Sequence, residues 1–157
     1  MTNLSIRLAI DSDSKNIFEW RNDSLTRRMS HKTKTIEWEE HRSWFSNSLN
    51  SNNRLLLICE ENSINKIAVI RFDIAETEAV VSINLNPKMR RKNLAKNILD
   101  RSIRFLSKEY QLVENLFAEV NEENIASKKI FLAVGFEKYK VYNKIGYYKK
   151  NLRLNNN

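Results

Sequence analysis

A chain of 157 residues with 41% hydrophobic and 29% charged residues is about one domain long and holds enough apolar material for a single core. Its formal net charge of +8 favours an anionic partner (nucleic acid, an anionic membrane surface or a phosphorylated small molecule) without choosing among them. The one cysteine excludes an internal disulfide, as expected of a reducing, cytoplasmic setting, and charged residues interrupt every apolar run well short of a membrane span.

Leu4 to Ile10 alternates apolar and polar residues and predicts a strand. Asp11 or Ser12 can cap a helix running through Arg21, with Ile17, Phe18 and Trp20 on its apolar side. Thr35 likewise opens a helix to about Leu49, whose broad aromatic face carries Trp38, His41, Trp44 and Phe45. Arg54 to Cys59 is nearly all apolar and predicts a strand buried on both faces, with Cys59 as a small buried residue rather than a nucleophile. Lys66 to Ile74 and Glu78 to Leu85 form a hairpin around Glu76 and Thr77, and Pro87 ends it.

Asn93 to Ser107 repeats Leu94, Ile98, Leu99, Ile103 and Leu106 at helical spacing. Leu116 to Val120 is a short strand. Glu122 to Val134 is a helix with Gly135 at its C-terminal cap. Phe136 to Tyr142 and Ile145 to Leu152 make a last strand pair around Asn143 and Lys144. The order is β-α-α-β-β-β-α-β-α-β-β, with no internal repeat. Residues 1–153 are expected to form one domain and 154–157 a disordered tail.

The positive charge is concentrated after Pro87. Lys88, Arg90, Arg91, Lys92, Lys96, Arg101, Arg104 and Lys108 stand against Asp100 and Glu109. A strand that runs through a basic turn into a helix presents unpaired N–H groups and the positive end of the helix dipole, a layout suited to phosphate. A second segment, Asn124 to Phe136, is a short helix closed by Gly-Phe.

These two segments resemble the two main motifs of the GNAT superfamily of acetyl-CoA-dependent N-acetyltransferases. The first, Arg-Arg-Lys-Asn-Leu-Ala over 90–95, matches the family's acetyl-CoA loop, Arg/Gln-x-x-Gly-x-Gly/Ala. The second matches its late helix through Asn124, Ser127, Phe131, Gly135 and Phe136. The resemblance implies a mixed α/β (α+β) fold: a mostly antiparallel central sheet of about seven strands with about four helices. It also implies acetyl-CoA as cofactor, held by Leu85, Asn86, Arg90, Arg91, Lys92, Asn93, Leu94, Ala95, Lys96, Asn124, Ser127, Lys128 and Phe131. Two positions depart from the pattern. Asn93 replaces the central glycine; Asn is the residue that best tolerates positive φ there. Phe131 stands where a proton-donating tyrosine is frequent, so Ser127, Tyr142, Tyr147 or water would have to serve.

In the chemistry the resemblance implies, an amine attacks the thioester directly, and the backbone near Leu85 offers an N–H to the developing oxyanion. Asn84, Ser82 and Glu78 share one face of that strand by alternation and are the candidate catalytic residues. The candidate acceptor residues are Trp20, Arg21, Asn22 and His41 from the first two helices, with Arg71 and Asp73. The chain looks like the subgroup that acetylates nucleotide-linked amino sugars on the way to pseudaminic or legionaminic acids. The acceptor would be a small-molecule amine, with no nucleic-acid or membrane partner, and the protein a monomer or homodimer. Enzymes that acetylate protein N-termini, of the ribosomal-protein type, share much of the pattern and are the alternative. A basic nucleic-acid-binding module is the non-enzymatic alternative, disfavoured by the lack of nucleic-acid signatures. His31 and His41 form no ligand cluster, so no metal is expected.

Overall fold

The computed structural model describes residues 3–153. In chain order the elements are β1 (Leu4–Leu8), α1 (Ser14–Arg21), α2 (Ser24–Met29), α3 (Trp38–Leu49), β2 (Arg54–Glu61), β3 (Asn65–Ala75), β4 (Glu78–Leu85), α4 (Ala95–Glu109), β5 (Asn115–Asn121), α5 (Ile125–Ala133), β6 (Glu137–Tyr142) and β7 (Ile145–Asn151). The tail expected over 154–157 lies outside the described residues. Among the described residues no helix is long and apolar enough to cross a membrane.

The strands form one sheet in the order β1-β2-β3-β4-β5-β7-β6. Every neighbouring pair is antiparallel except β4 and β5, which run parallel. Alternation assigns the two faces. Leu55, Leu57 and Cys59 of β2, Ala68, Ile70 and Phe72 of β3, and Ala79 and Val81 of β4 pack under α4 and α5 with Ile98, Leu99, Leu106 and Phe131. Leu56, Ile58 and Val69 point the other way and pack with Ile17 and Trp20 of α1 and Phe45 of α3. Helices therefore cover both faces of β2 and β3, which is why β2 is apolar throughout. Cys59 is fully buried; burial pushes its thiol up to about 11, so it is no thiolate near neutral pH.

The seven-stranded mixed sheet agrees with the sequence expectation, but the helical layer differs in three places. The entry to α1 is anchored by Asp13, not by Asp11 or Ser12. The buried Asp13 carboxylate accepts the Ile10 N–H at 2.8 Å, Arg7 at 2.8 and 2.9 Å, and Lys66 at 2.8 Å. Burial alone would raise its pKa; these partners outweigh burial and hold it at about 2, so the carboxylate stays charged. A helix absent from the expected four, α2, starts where the Asp23 side chain accepts the Thr26 N–H. Finally, α3 begins at Trp38 rather than Thr35. The Asn22 side chain donates to the Ile36 carbonyl at 2.9 Å and accepts the Ile36 N–H at 2.8 Å, holding that stretch off the helix.

Helix α5 ends as the sequence predicts. The Gly135 N–H bonds the Leu132 carbonyl and the Phe136 N–H bonds the Phe131 carbonyl, with Gly135 at φ +101°. An added Cβ there would meet Lys150 Nζ at 2.8 Å, the amine that donates to the Val134 carbonyl.

Candidate active site

The parallel pair β4–β5 creates the site. It is hydrogen-bonded at three positions only, Glu78 with Asn115, Ala79 with Leu116 and Val80 with Phe117. Beyond Val80 the strands part, although β4 continues to Leu85 and β5 to Asn121. A ladder continued in register would set Ser82 opposite Glu119 and Asn84 opposite Asn121. Instead the strands separate, and these side chains lie along the two edges of the resulting gap, the cleft, on the α1–α3 face of the sheet. The backbone also faces it. The Asn86 N–H bonds the Ile67 carbonyl on the β3 side at 2.7 Å, so by strand alternation the Leu85 N–H points to the edge that β5 has left.

At the cleft's outer end β4 runs into the basic turn. Arg91 and Asn93 have φ of +61° and +57°. Lys92 between them and Leu94 after them keep negative φ. Alternating left- and right-handed residues turn successive N–H groups to one side, which makes an anion-binding concavity. The fifteen-residue helix α4 starts directly after it, with no side chain capping its N-terminus. The Ile98 N–H is the first to reach an intrahelical carbonyl, that of Leu94, so Ala95, Lys96 and Asn97 present free N–H groups. Exposed Arg91, Lys92 and Lys96 add charge around them. The donors of this cradle fit a pyrophosphate.

The acetyltransferase (GNAT) domain family model matches residues 3–137, most of the chain. The chain belongs to the GNAT acetyltransferase family. GNAT acetyltransferases use acetyl-CoA. An uncharacterized protein of Methanocaldococcus jannaschii, MJ1062, is 25% identical over 145 residues, covering 86% of this chain and 28% of that protein. The chain thus spans just over a quarter of that relative's length. A crystallised domain from the same organism superposes with a TM-score of 0.84 at 22% identity, covering 97% of this chain and 100% of that one. A spermidine N-acetyltransferase from Vibrio cholerae, solved with CoA and spermine, gives a TM-score of 0.84 at 14% identity over 96% of each chain. These structural likenesses concern the fold.

The GNAT frame separates the expected site residues into those free to act and those committed elsewhere. The Arg90 guanidinium is engaged by Asp23 and donates to Thr26 Oγ1 at 2.8 Å, tying the cradle to α2. The Asn86 side chain accepts the Lys88 N–H and donates to the Lys66 carbonyl, so it builds the turn. Asn124 spends its side-chain oxygen on the Ser127 N–H as the cap of α5, and Lys128 pairs with Glu122 at 2.9 Å. Phe131 is a correction: its ring is buried, edge-on to Phe136 at 5.1 Å, and belongs to the core rather than to a ligand surface. Trp20 is another, 4% exposed within the α1–α3 core. Glu78 is a third; it sits at the closed end of the strand pair, away from the cleft.

One residue that the sequence reading does not place in a catalytic role, Glu119, lies on the rim, beside Tyr147, which that reading offers as a proton donor. Glu119 is the exposed carboxylate of β5 on the cleft face, and Tyr147 of β7 is directly across from it in register. Burial first, then the charge and hydrogen bond of Glu119, push the Tyr147 phenol up, so it stays protonated at neutral pH. Alternation in Leu116-Phe117-Ala118-Glu119-Val120 puts this carboxylate on the polar side of β5, but only the parallel register shows which strand it faces.

Deeper on the same face, elements far apart in sequence bring three arginines together. Arg54 of β2 and Arg71 of β3 share Asp73, with Arg71 Nε 3.2 Å from its carboxylate. Arg54 also donates to Ser48 Oγ at 3.1 Å. The Arg21 guanidinium of α1 lies over the Trp44 ring, 4.3 Å from its centroid, and Arg54 is 5.7 Å from the same ring. Among the described residues Arg21 has no carboxylate within ion-pair distance. Arg71 Nε is buried and makes no hydrogen bond, its approach to Asp73 being poorly aligned. Burial, reinforced by the neighbouring arginines, pulls the Arg21 and Arg71 pKa values down from their usual range, yet both stay protonated. Three guanidinium groups against the Asp73 carboxylate, with Glu40 the other acid acting on Arg21, leave an excess of positive charge. An open groove of about 490 Å³ runs beside Arg54 and Asp73, lined also by Asn47, Asn53 and Val80.

Proposed function

We propose that this domain acetylates the primary amine of a small molecule that carries its own anionic group, a nucleotide-linked amino sugar being the best match. The observation behind this reading is the excess of guanidinium charge around Arg71, on the face where the cleft opens. Guanidinium groups pair with the oxygens of a diphosphate in a fixed fork geometry and repel a polycation. The spermidine enzyme shares the fold, but a polyamine acceptor would meet like charge here.

In this scheme the cradle of Arg91 to Lys96 holds the acetyl-CoA phosphates, and acetyl-CoA supplies the acyl group as an activated thioester. Glu119 takes the proton that the attacking amine must lose. The Leu85 N–H is aimed where negative charge grows on the carbonyl oxygen. Ser82 and Asn84 line the approach of the amine. With Phe131 in the core, the position where a late-helix tyrosine is frequent offers no proton to the leaving sulfur. A thiol with pKa near about 8.5 leaves tolerably without one.

CoA-thiol release measured with UDP-linked amino sugars, N-terminal peptides and spermidine tests the acceptor class. The amino sugar should be favoured over spermidine by about 10²-fold or more in kcat/KM, since like-charge contact costs several kcal/mol. A preference for spermidine or for peptides would overturn the reading. The cradle has its own test. Asn93→Gly should bind acetyl-CoA at least as tightly as the parent, because glycine adopts positive φ freely. Asn93→Val should lose about 1–2 kcal/mol in the turn, which weakens binding roughly tenfold by calorimetric titration. Equal affinity of the two variants would show that this turn does not set the grip on the cofactor.

A further inference from the structure

His41 stood among the expected acceptor-binding residues, yet its ring is fully buried and does not reach a ligand. It is boxed by Phe18, Trp38, Trp44 and Phe45, with ring centroids 5.3 to 5.8 Å away. Both ring nitrogens are engaged. Nε2 is 2.9 Å from the Ser14 carbonyl, which only accepts, so Nε2 carries the proton. Nδ1 is 3.1 Å from Arg21 Nη1, which only donates, so Nδ1 is a bare lone pair. The two partners fix one neutral tautomer.

The consequence falls on Arg21. Its guanidinium is held from one side by the His41 lone pair and from another by the Trp44 π face. Both hold it without cancelling its charge, whereas a carboxylate in the place of Nδ1 would neutralise it. We propose that His41 is a positioning residue for acceptor binding: as the neutral Nε2–H tautomer it aims Arg21, still fully charged, at the anionic group of the acceptor. This inference rests on the anionic-acceptor reading above.

A proton on Nδ1 would remove the acceptor for Arg21 and set two cations face to face. The charged groups around this contact are Arg21 of α1, Arg54 of β2, Arg71 of β3 and Glu40 of α3. Burial, and then Arg21, hold the His41 pKa below its ordinary value, against the Ser14 carbonyl that favours charge. The contact is therefore intact near neutrality and fails on acidification below that range.

The test combines His41→Phe, which keeps the aromatic packing, with His41→Gln, whose amide can both accept from Arg21 and donate to Ser14. With the nucleotide-linked amino sugar, His41→Phe should raise the acceptor KM about tenfold, the loss of one hydrogen bond to a charged group. The acetyl-CoA KM should not move, and His41→Gln should recover most of the loss. In an Arg21→Ala background His41→Phe should add nothing further. Arg21→Ala that leaves the acceptor KM unchanged would overturn the anionic-acceptor reading itself. Arg21→Ala that raises it while His41→Phe does not would overturn only the role of His41. Nitrogen NMR of the free protein supplies a readout without any acceptor: the His41 ring should show a protonated Nε2 and a bare Nδ1 at neutral pH, and the opposite tautomer or a doubly protonated ring overturns the proposal.

Discussion

Glu119→Gln is expected to lower kcat/KM for the acceptor by about 10²–10⁴-fold while leaving the KM for acetyl-CoA unchanged, the loss typical of a removed general base. Glutamine keeps the shape and polarity of the side chain but takes no proton. The carboxylate stands on β5 across the opening from Ser82 and Asn84, on the face that the α1–α3 layer shares. Glu78, the carboxylate first expected to serve, is hydrogen-bonded through its backbone into the closed end of the pair. Glu78→Gln should therefore change the rate less than about twofold, as surface substitutions away from a site generally do. The pH dependence separates a base from a merely structural carboxylate. Without Glu119 the amine must shed its proton to water, so the residual rate should climb steadily across roughly pH 6–9 instead of reaching a plateau. Steady-state thiol release over that range gives both readings. A loss under tenfold with the parent pH profile would remove Glu119 from the chemistry.

How far the sequence could anticipate this depends on the range of the forces involved. The strands were legible because burial on one or both faces writes itself into alternation, as in Arg54 to Cys59 and Glu78 to Leu85. The cradle was legible because a basic turn before a helix is local chemistry, and the left-handed position that the resemblance implied at Asn93 agrees with its φ of +57°. Arg91, at +61°, is a second left-handed residue in the turn that nothing local announces. What escaped was set by tertiary contact. The Asn22 clamp on Ile36 delays α3, and Asp23 serves α2 and Arg90 at once; neither arrangement has a signature in its own segment. Trp20 stood both on the apolar side of its helix and among the candidate acceptor residues, and its indole packs inward. Glu119 became visible only through the register of β4 against β5. The meeting of Arg21, Arg54 and Arg71 depends on three elements whose proximity no single segment encodes.

Arg71→Ala carries the second large expected effect, a rise of about 10²-fold in the KM for a nucleotide-linked acceptor with little change in the KM for acetyl-CoA. A hydrogen bond to a charged partner contributes about 1.5–3 kcal/mol, or roughly 10–150-fold, and Arg71 has more to give than its neighbours. Its Nε is buried and makes no hydrogen bond, while Arg54 already serves Asp73 and Ser48. Arg71 stands opposite Ser82 in the β3–β4 register, so its side chain shares the face on which the cleft opens. Removing it also releases Asp73 to Arg54 alone, and the site loses part of its excess positive charge. Arg71→Lys should restore less than half of the binding free energy, because an ammonium attracts phosphate as a point charge but lacks the planar fork. Salt gives a further check. If the anion is bound through long-range charge, raising ionic strength should weaken acceptor binding in the parent more than in Arg71→Ala. The decisive comparison is with an amine acceptor of similar size that lacks phosphate. Arg71→Ala should leave its KM unchanged; an equal loss for charged and uncharged acceptors would mean that Arg71 shapes the sheet face rather than reads the anion.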